Sequence, residues 1–392
     1  MSSLPVPLIA FADISLSSYY LCEKTDGIRC LLFCAKGDDG EEIHFLIDRK
    51  NDYYFVTGKY ESNNRQDNNH PWRGATSGIH LPHHGDREFI DFHENTLFDG
   101  ELVLDHERDG VKLRYLVFDC IVLDGEDLTK KSFDKRIGRF QEFVYKPLKA
   151  ALRRYPEESQ YSPFEILFKQ MDKPYALHDM FLQKLPNLPH GNDGLIFTCK
   201  ETPYVMGTDE HILKWKPAHE NSIDFRLKLG SFPAMIEDGE EVEDFDGKPS
   251  FELEVFYGSN TYGDFATLYL DDADWAALKR ASIRDRKSLD GRIIECWLEQ
   301  PAHGESRWRF KREADGTPRF RDDKNDANHI STVEKVIQSI EDAVSQEDLI
   351  AHEYEIMKAW KRRHPEEAAK RRQAEASRAG PPRALPQNGQ IL

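Results

Sequence analysis

Residues 23–29 read EKTDGIR and place Lys24 beside an acid, a glycine and Arg29. A protonated lysine has no lone pair, so one that attacks a phosphate needs burial and neighbouring cations to release its proton. Other basic residues in the same cleft are then expected. Read alone, Lys24 would be a surface lysine opening a β-turn at Thr25-Asp26-Gly27, and three fixed positions recur by chance too often to choose between the readings. The choice falls to segments further along the chain.

TLFDGELVLD, from Thr96, puts Glu101 at the start of a predicted strand, where a carboxylate can accept hydrogen bonds from a ribose hydroxyl. YLVFDC, from Tyr115, offers Phe118 as an aromatic surface for a purine. NDGLIF, from Asn192, sets Asp193 just before a buried strand, a suitable position for a metal-binding carboxylate. ILKWKP, from Ile212, presents Lys214 and Lys216 on one side of a strand, because side chains alternate with a period of two. Two ammonium groups on one face make a phosphate clamp. Each segment has a plainer reading. Phe118 alone would be core, LKWKP an edge strand with solvated lysines, and RFRDDKNDAN from Arg319 a charged surface turn. What carries weight is that all of them occur together and in order.

The chain's 392 residues are enough for two domains, and 39% hydrophobic content can fill a core in each. No apolar run reaches the roughly 18 residues of a membrane span, and the first 20 residues lack the pattern of a signal peptide. The expectation is a soluble, non-secreted protein with no membrane partner. The six cysteines lie in or beside apolar runs without paired CxxC spacing, so they read as reduced core thiols and not as a zinc site. His80, His83 and His84 lie in a Pro/Gly-containing stretch, where a solvated loop is favoured over a metal site. The net charge of -17 argues against nonspecific coating of nucleic acid but leaves room for a local basic cleft. Much of the acidity falls in Glu237–Asp246, read as a solvated loop.

Short β-branched and aromatic runs predict strands at 30–35, 43–48, 53–56, 101–104, 113–123 and 194–199, with helices at 134–155 and about 176–185. The first half is thus an α+β domain built on antiparallel sheets. Residues 61–84 read as an exposed loop. Beyond Pro217, strands at 223–229, 251–257, 265–270, 292–298 and 307–312 with one helix at 271–281 fit an OB-fold barrel. Ser331 and Glu334 have capping-box spacing ahead of a helix with Val333, Val336, Ile337, Ile340 and Val344 on one face. A second helix at about 347–363 should bury Leu349, Ile350, Tyr354, Met357 and Trp360. The predicted domains are 1–222, 223–330, terminal helices at 331–363 and a disordered tail at 364–392.

Taken in order, EKTDGIR, FDGELVL, YLVFDC, NDGLIF, ILKWKP and RFRDDKNDAN closely resemble the mRNA guanylyltransferases, RNA capping enzymes of the lysine-dependent nucleotidyltransferase superfamily, from about Tyr19 to Arg363. GTDEHILKWKP and RFRDDK look like the fungal type, whose RNA triphosphatase is a separate polypeptide. The resemblance implies a ligase-like nucleotidyltransferase domain followed by an OB-fold. It also implies a two-step reaction in which Lys24 takes GMP from GTP and passes it to the 5′-diphosphate end of nascent RNA. Arg29 and Glu101 match the ribose contacts, Asp99 and Arg49 further nucleotide-binding positions, Phe118 the base-stacking residue, and Lys169 a lysine at the guanine edge. Lys214 and Lys216 match the α-phosphate clamp, and Asp193 the acid near a Mg²⁺ or Mn²⁺ ion. Arg319, Arg321, Asp323 and Lys324 match the segment that meets the β- and γ-phosphates when the cleft closes.

The partners so implied are an RNA 5′-triphosphatase subunit and the phosphorylated C-terminal tail of RNA polymerase II, and the implied location is the nucleus. The basic stretch Lys358–Arg378 reads as a solvated helix end and not as a phosphate contact. Family members carry several tens of residues before the lysine motif. Here 23 precede Lys24, so an altered or truncated start is expected. Competing readings are an ATP- or NAD-dependent polynucleotide ligase and an inactive binding scaffold. The LKWKP and RFRDDK segments weigh against the ligase, and intact Lys24, Asp193, Lys214 and Lys216 against the scaffold.

Overall fold

The computed structural model describes residues 18–58, 72, 75, 77–217, 220–237, 240–244, 247–301, 304–313, 315–366 and 369. Two compact units emerge, one containing the described residues through Lys214 and from Glu347 onward, the other Trp215–Gln346.

The first unit holds β1 (Tyr19–Thr25), β2 (Ile28–Lys36), β3 (Glu42–Ile47), β4 (Tyr53–Phe55), β5 (Thr96–Glu107), β6 (Gly110–Leu123), β7 (Glu126–Asp127), β8 (Glu165–Phe168), β9 (Asn192–Cys199) and β10 (Ile212–Trp215). They form two sheets. The smaller is ordered β1-β9-β10; the larger runs β4-β3-β2-β5-β6-β7, with β8 added parallel to β6. The chain crosses from the small sheet to the large one at Asp26-Gly27, in the middle of EKTDGIR. Alternation explains β2, whose Cys30, Leu32 and Cys34 all point into the core. Against that face packs α1 (Phe133–Arg139), which continues through a π-helical stretch, Phe140–Tyr145, into α2 (Lys146–Arg154). Its buried residues Phe133, Ile137, Phe140, Val144, Leu148 and Ala151 keep helical spacing.

In the second unit β11 (Ser222–Leu229), β14 (Phe251–Gly258), β15 (Thr261–Thr267), β16 (Ile293–Glu299) and β17 (Arg307–Phe310) make one sheet, ordered β15-β14-β11-β16-β17. A parallel bridge between Leu268 and Trp308 brings its two edges together, with the Tyr269 N–H donating to the Trp308 carbonyl at 2.8 Å. That closure and α3 (Asp272–Asp285) between β15 and β16 give the OB-type arrangement. Asp271 and Asp274 form a capping box at the start of α3.

Several expectations need correction. The acidic run contains the exposed hairpin of β12 (Ala234–Glu237) and β13 (Glu240–Glu243), where the sequence was read as a loop. The sequence signal for it is the Asp-Gly dipeptide at 238–239, two residues that lie outside the described ones. Of the predicted loop at 61–84, residues 61–71, 73, 74 and 76 lie outside the described ones, while Trp72, Ala75, Ile79, His80 and Leu81 are buried. His80 is buried because Glu42 accepts its ring N–H at 2.6 Å.

The first C-terminal helix, α4 (Ile330–Glu341), starts one residue before Ser331. The His329 ring accepts from the Ser331 N–H at 3.2 Å, so His329 caps it and the Ser331/Glu334 box does not form. On α5 (Gln346–Arg363) Tyr354 faces outward, whereas Ile356, Ala359 and Trp360 are buried. Glu353, bound by the His178 N–H at 2.7 Å, holds that turn in the other rotation. Of the predicted disordered tail at 364–392, residues 364–366 and 369 are described, with 365, 366 and 369 helical, and the rest lies outside the described residues.

Candidate active site

Lys24 occupies the position where the small sheet departs from regular pairing. Glu23 opposes Leu195 and Thr25 opposes Asn192, so two residues, Asp193 and Gly194, face Lys24 alone. This is a β-bulge, and Gly194 adopts φ 143° to make it. The result aims Asp193 at the lysine, with Nζ 2.5 Å from Oδ1 and both side chains about one-fifth exposed. Gly27 permits the crossing between sheets. A Cβ there would sit 2.5 Å from the Leu102 carbonyl and 2.8 Å from the Glu101 side chain.

Across the cleft, register on the large sheet sets Arg29 opposite Glu101 and Leu31 opposite Asp99. Asp99 is fully buried and receives Arg29 on both oxygens, Nε to Oδ1 at 2.9 Å and a terminal nitrogen to Oδ2 at 2.5 Å. Tyr204 donates to the same Oδ2 at 2.8 Å. Burial opposes the Arg29 charge, and the Asp99 hydrogen bonds overcome it, leaving the guanidinium firmly protonated. Burial first and Asp99 second push the Tyr204 phenol upward, so it stays a donor.

A second bulge lies between Asp99/Gly100 and the strand β6. Val117 pairs with Gly100 and Asp119 with Asp99, which leaves Phe118 as the extra residue. Phe118 and Asp119, though adjacent, therefore both line the cleft, which regular alternation would forbid. The Arg29 guanidinium lies 5.7 Å from the Phe118 ring centroid. Asp119 is held in two buried hydrogen bonds by Arg136 of α1, at 2.8 and 2.7 Å.

Lys169 follows β8 and reaches the junction of the two sheets almost fully buried. Its Nζ donates to Thr25 Oγ1 and lies 3.6 Å from Glu23 and 3.9 Å from Glu101. Cys22 also borders the cleft, but burial pushes its thiol up to about 12, so it does not compete as a nucleophile.

The cleft is a cavity of about 200 Å³. It brings together Lys24, Arg29, Arg49, Asp99, Glu101, Phe118, Lys169 and Lys214 of the sequence-predicted set, and Asp193 joins through its ion pair with Lys24. Lys216 falls one residue past the end of β10, in the second unit. There, Arg319, Arg321, Asp323 and Lys324 form a cluster of their own. Arg321 holds Asp323 at 3.0 Å and Asp224 at 3.3 Å, Lys324 also binds Asp224, and Arg319 binds Glu313 at 3.2 Å.

Sequence reasoning missed Tyr204, Asp119, Arg136 and Thr25. Of these, Arg136 was signalled: it shares the buried face of α1 with Phe133 and Ile137, and a charge on an apolar face needs a buried partner. For a metal, Asp193 supplies a carboxylate beside cations suited to phosphate. Such oxygen donors fit a hard divalent ion.

Comparison with known proteins follows the same division of the chain. A family model described as mRNA capping enzyme, catalytic domain, matches residues 9–218, and one described as mRNA capping enzyme, C-terminal domain, matches residues 220–350. The mRNA-capping enzyme subunit alpha of Schizosaccharomyces pombe is 41% identical over 363 residues, covering 92% of this chain and 81% of that protein. That of Neurospora crassa is 39% identical, covering 89% and 82%. That of Saccharomyces cerevisiae is 35% identical, covering 88% and 76%. Among solved structures, mycobacterial DNA ligase D complexed with ATP and MES matches with a TM-score of 0.33 and 15% identity, over 78% of this chain and 90% of that one.

Proposed function

The chain belongs to the mRNA capping enzymes, whose guanylyltransferase reaction moves GMP from GTP to an RNA 5′ end, and we propose that Lys24 is the residue that carries the GMP. The observation supporting this most directly is the Lys24–Asp193 pair, at 2.5 Å, in a cleft that Arg29, Glu101, Phe118 and Lys214 also line. In the first step Asp193 is within reach to take the lysine proton. Nζ then attacks the α-phosphorus of GTP, the bond to the β-phosphate oxygen breaks, and pyrophosphate leaves. In the second, an oxygen of the RNA 5′-diphosphate attacks the same phosphorus, the N–P bond breaks, and Lys24 is released as the GpppN end forms.

Arg29 and Glu101 hold the ribose, Phe118 stacks on the base and Lys169 meets the guanine edge. Lys214 and Lys216 clamp the α-phosphate, and Arg49 adds charge at the exposed rim. Arg319, Arg321 and Lys324 take the β- and γ-phosphates, with Asp323 keeping Arg321 in position. The enzyme uses a nucleotide and a divalent cation; we assign GTP, with Mg²⁺ or Mn²⁺ held by Asp193. When bound, the metal offsets phosphate charge. The relatives are named as alpha subunits, which supports a partner subunit; we propose that this partner is an RNA 5′-triphosphatase, that the chain also meets the phosphorylated tail of RNA polymerase II, and that it acts in the nucleus.

The test supplies labelled GTP or ATP with a divalent cation, then diphosphate-ended RNA. The proposal expects an acid-labile, alkali-stable protein label from GTP that is absent in Lys24→Ala and moves onto RNA when RNA is added. Label from ATP alone would mean a ligase, and no label from either would mean a scaffold.

A further inference from the structure

Outside the nucleotide cleft, His83, His84, His93 and Asp124 converge, their ligand atoms all within 4.8 Å of one another. The sequence offers no motif for this, because three separate pieces of backbone supply it. His83 and His93 flank the bridge between Pro82 and Phe92; the His83 N–H donates to the Asp91 carbonyl at 2.8 Å and the His93 N–H to the Leu81 carbonyl at 2.9 Å. Asp124 sits in the tight turn between β6 and β7, where φ is positive at both Asp124 and Gly125. That turn is anchored by the Asp124 N–H on Thr96 Oγ1 at 2.9 Å.

The His93 ring is fixed with one nitrogen aimed at the point where the other ligand atoms converge. Its side chain is fully buried, and Nε2 lies 3.0 Å from the Phe143 carbonyl oxygen. A carbonyl can only accept, so Nε2 carries the hydrogen and Nδ1 is left with a lone pair in the neutral ring. Nδ1 faces the Asp124 carboxylate at 2.8 and 3.0 Å. A positive charge lies between them: at this spacing a proton, which a metal ion replaces when the pair opens to about 3.3 Å. A backbone carbonyl fixing the far nitrogen is the usual support of a metal-binding histidine. The other two imidazoles approach the same point. His83 Nε2 is 3.6 Å from Asp124, and the His84 ring stacks between Phe143 and His93, with centroids 4.5 and 5.8 Å away.

We propose that His83, His84, His93 and Asp124 bind one zinc-class transition-metal ion as a structural clip. Three imidazoles and one carboxylate select Zn²⁺ over Mg²⁺ or Ca²⁺, which prefer oxygen. A tetrahedral site with Zn–N near 2.0 Å puts ligand atoms about 3.3 Å apart, so side-chain rotations of about an ångström complete it. His83 gives up its Gly85 N–H···Nδ1 hydrogen bond of 3.2 Å so that Nδ1 can carry the proton while Nε2 turns inward. The clip fastens the 82–93 loop to the β6–β7 turn beside Thr96, where the strand bearing Asp99 and Glu101 begins. None of the four residues lines the nucleotide cleft.

The full chain, stripped with a chelating resin, is titrated with Zn²⁺ alone by calorimetry, with Co²⁺ absorption as a second readout. One equivalent should bind, with the visible bands of tetrahedral cobalt. Asp124→Asn and His84→Gln should each weaken Zn²⁺ binding by about 100-fold or more, while GTP labelling with Mg²⁺ is unchanged. His84 and Asp124 are both exposed, so the variants should fold; circular dichroism checks this. Equal zinc binding by the wild type and the folded double variant His83→Gln/His84→Gln would overturn the proposal.

Discussion

Arg29 reaches the cleft with its direction fixed in advance, because buried Asp99 takes both faces of its fork and Tyr204 closes the remaining side of the same carboxylate. A guanidinium so held loses little freedom when a nucleotide arrives. Asp99→Asn removes the charge that anchors it, and the expected outcome is a loss of about 100-fold in GMP labelling, the size a misplaced positioning group produces. Tyr204→Phe removes one hydrogen bond from Asp99, worth about 1 to 3 kcal/mol when a buried acceptor is left short, and should raise the KM for GTP more than it lowers kcat. Steady-state labelling across GTP concentrations measures both, and an unchanged KM in Tyr204→Phe would remove that residue from the site. EKTDGIR was legible at this scale because its partners recur in sequence. Asp119 and Tyr204 were not, because one enters the cleft through a bulge and the other lies in the irregular stretch between β9 and β10.

Both sheets of the first unit break their pairing where the chemistry sits, the small one opposite Lys24 and the large one at Asp99/Gly100, just after another shift at Leu97/Phe98. Regular strands can present alternate side chains only; the bulges add Asp193, Phe118 and Asp119 to one surface. Gly194→Ala, at φ 143°, should cost about 1 to 3 kcal/mol in backbone strain and turn Asp193 away from Lys24, so labelling falls while the fold persists. Gly138 in α1 is the contrast. Nothing lies within 4 Å of a Cβ built there, so Gly138→Ala should gain about 1 kcal/mol from helix propensity. Thermal melts of the two variants check both signs.

The same bulges explain what the sequence could and could not yield. Strands with clean alternation, such as β2, were legible. In contrast, β1 has the burial order buried, partial, buried, buried, partial, partial, buried, and the sequence predicts no strand there because its alternation fails around Lys24. Helix faces were legible to within a turn, and α5 went astray where a hydrogen bond from His178, far away in the sequence, set its rotation.

For the whole molecule, stability should depend on acid through Glu42. This carboxylate is fully buried; burial alone would raise it, but His80 and then His44 bring it down to about 2 from an ordinary 4.5. A group depressed in the folded state contributes stability that is present above pH 4.5 and lost as the pH falls towards 2, on the order of 3 kcal/mol. The first unit should therefore lose its fold over that window, reported by Trp72, whose ring lies 5.0 Å from that of His80. In Glu42→Gln the loss should already be present at neutral pH and the acid limb should flatten. An acid profile matching the wild type would exclude Glu42 as its source.

The reaction turns on the atom that holds the nucleotide. Its most direct test incubates the full chain with GTP and Mg²⁺, digests it under alkaline conditions and locates the modification by mass spectrometry. GMP on the peptide containing Lys24, with none on any peptide of Lys24→Ala, is the predicted result; GMP on Lys169, Lys214 or any other residue, or a labelled Lys24→Ala protein, would contradict it.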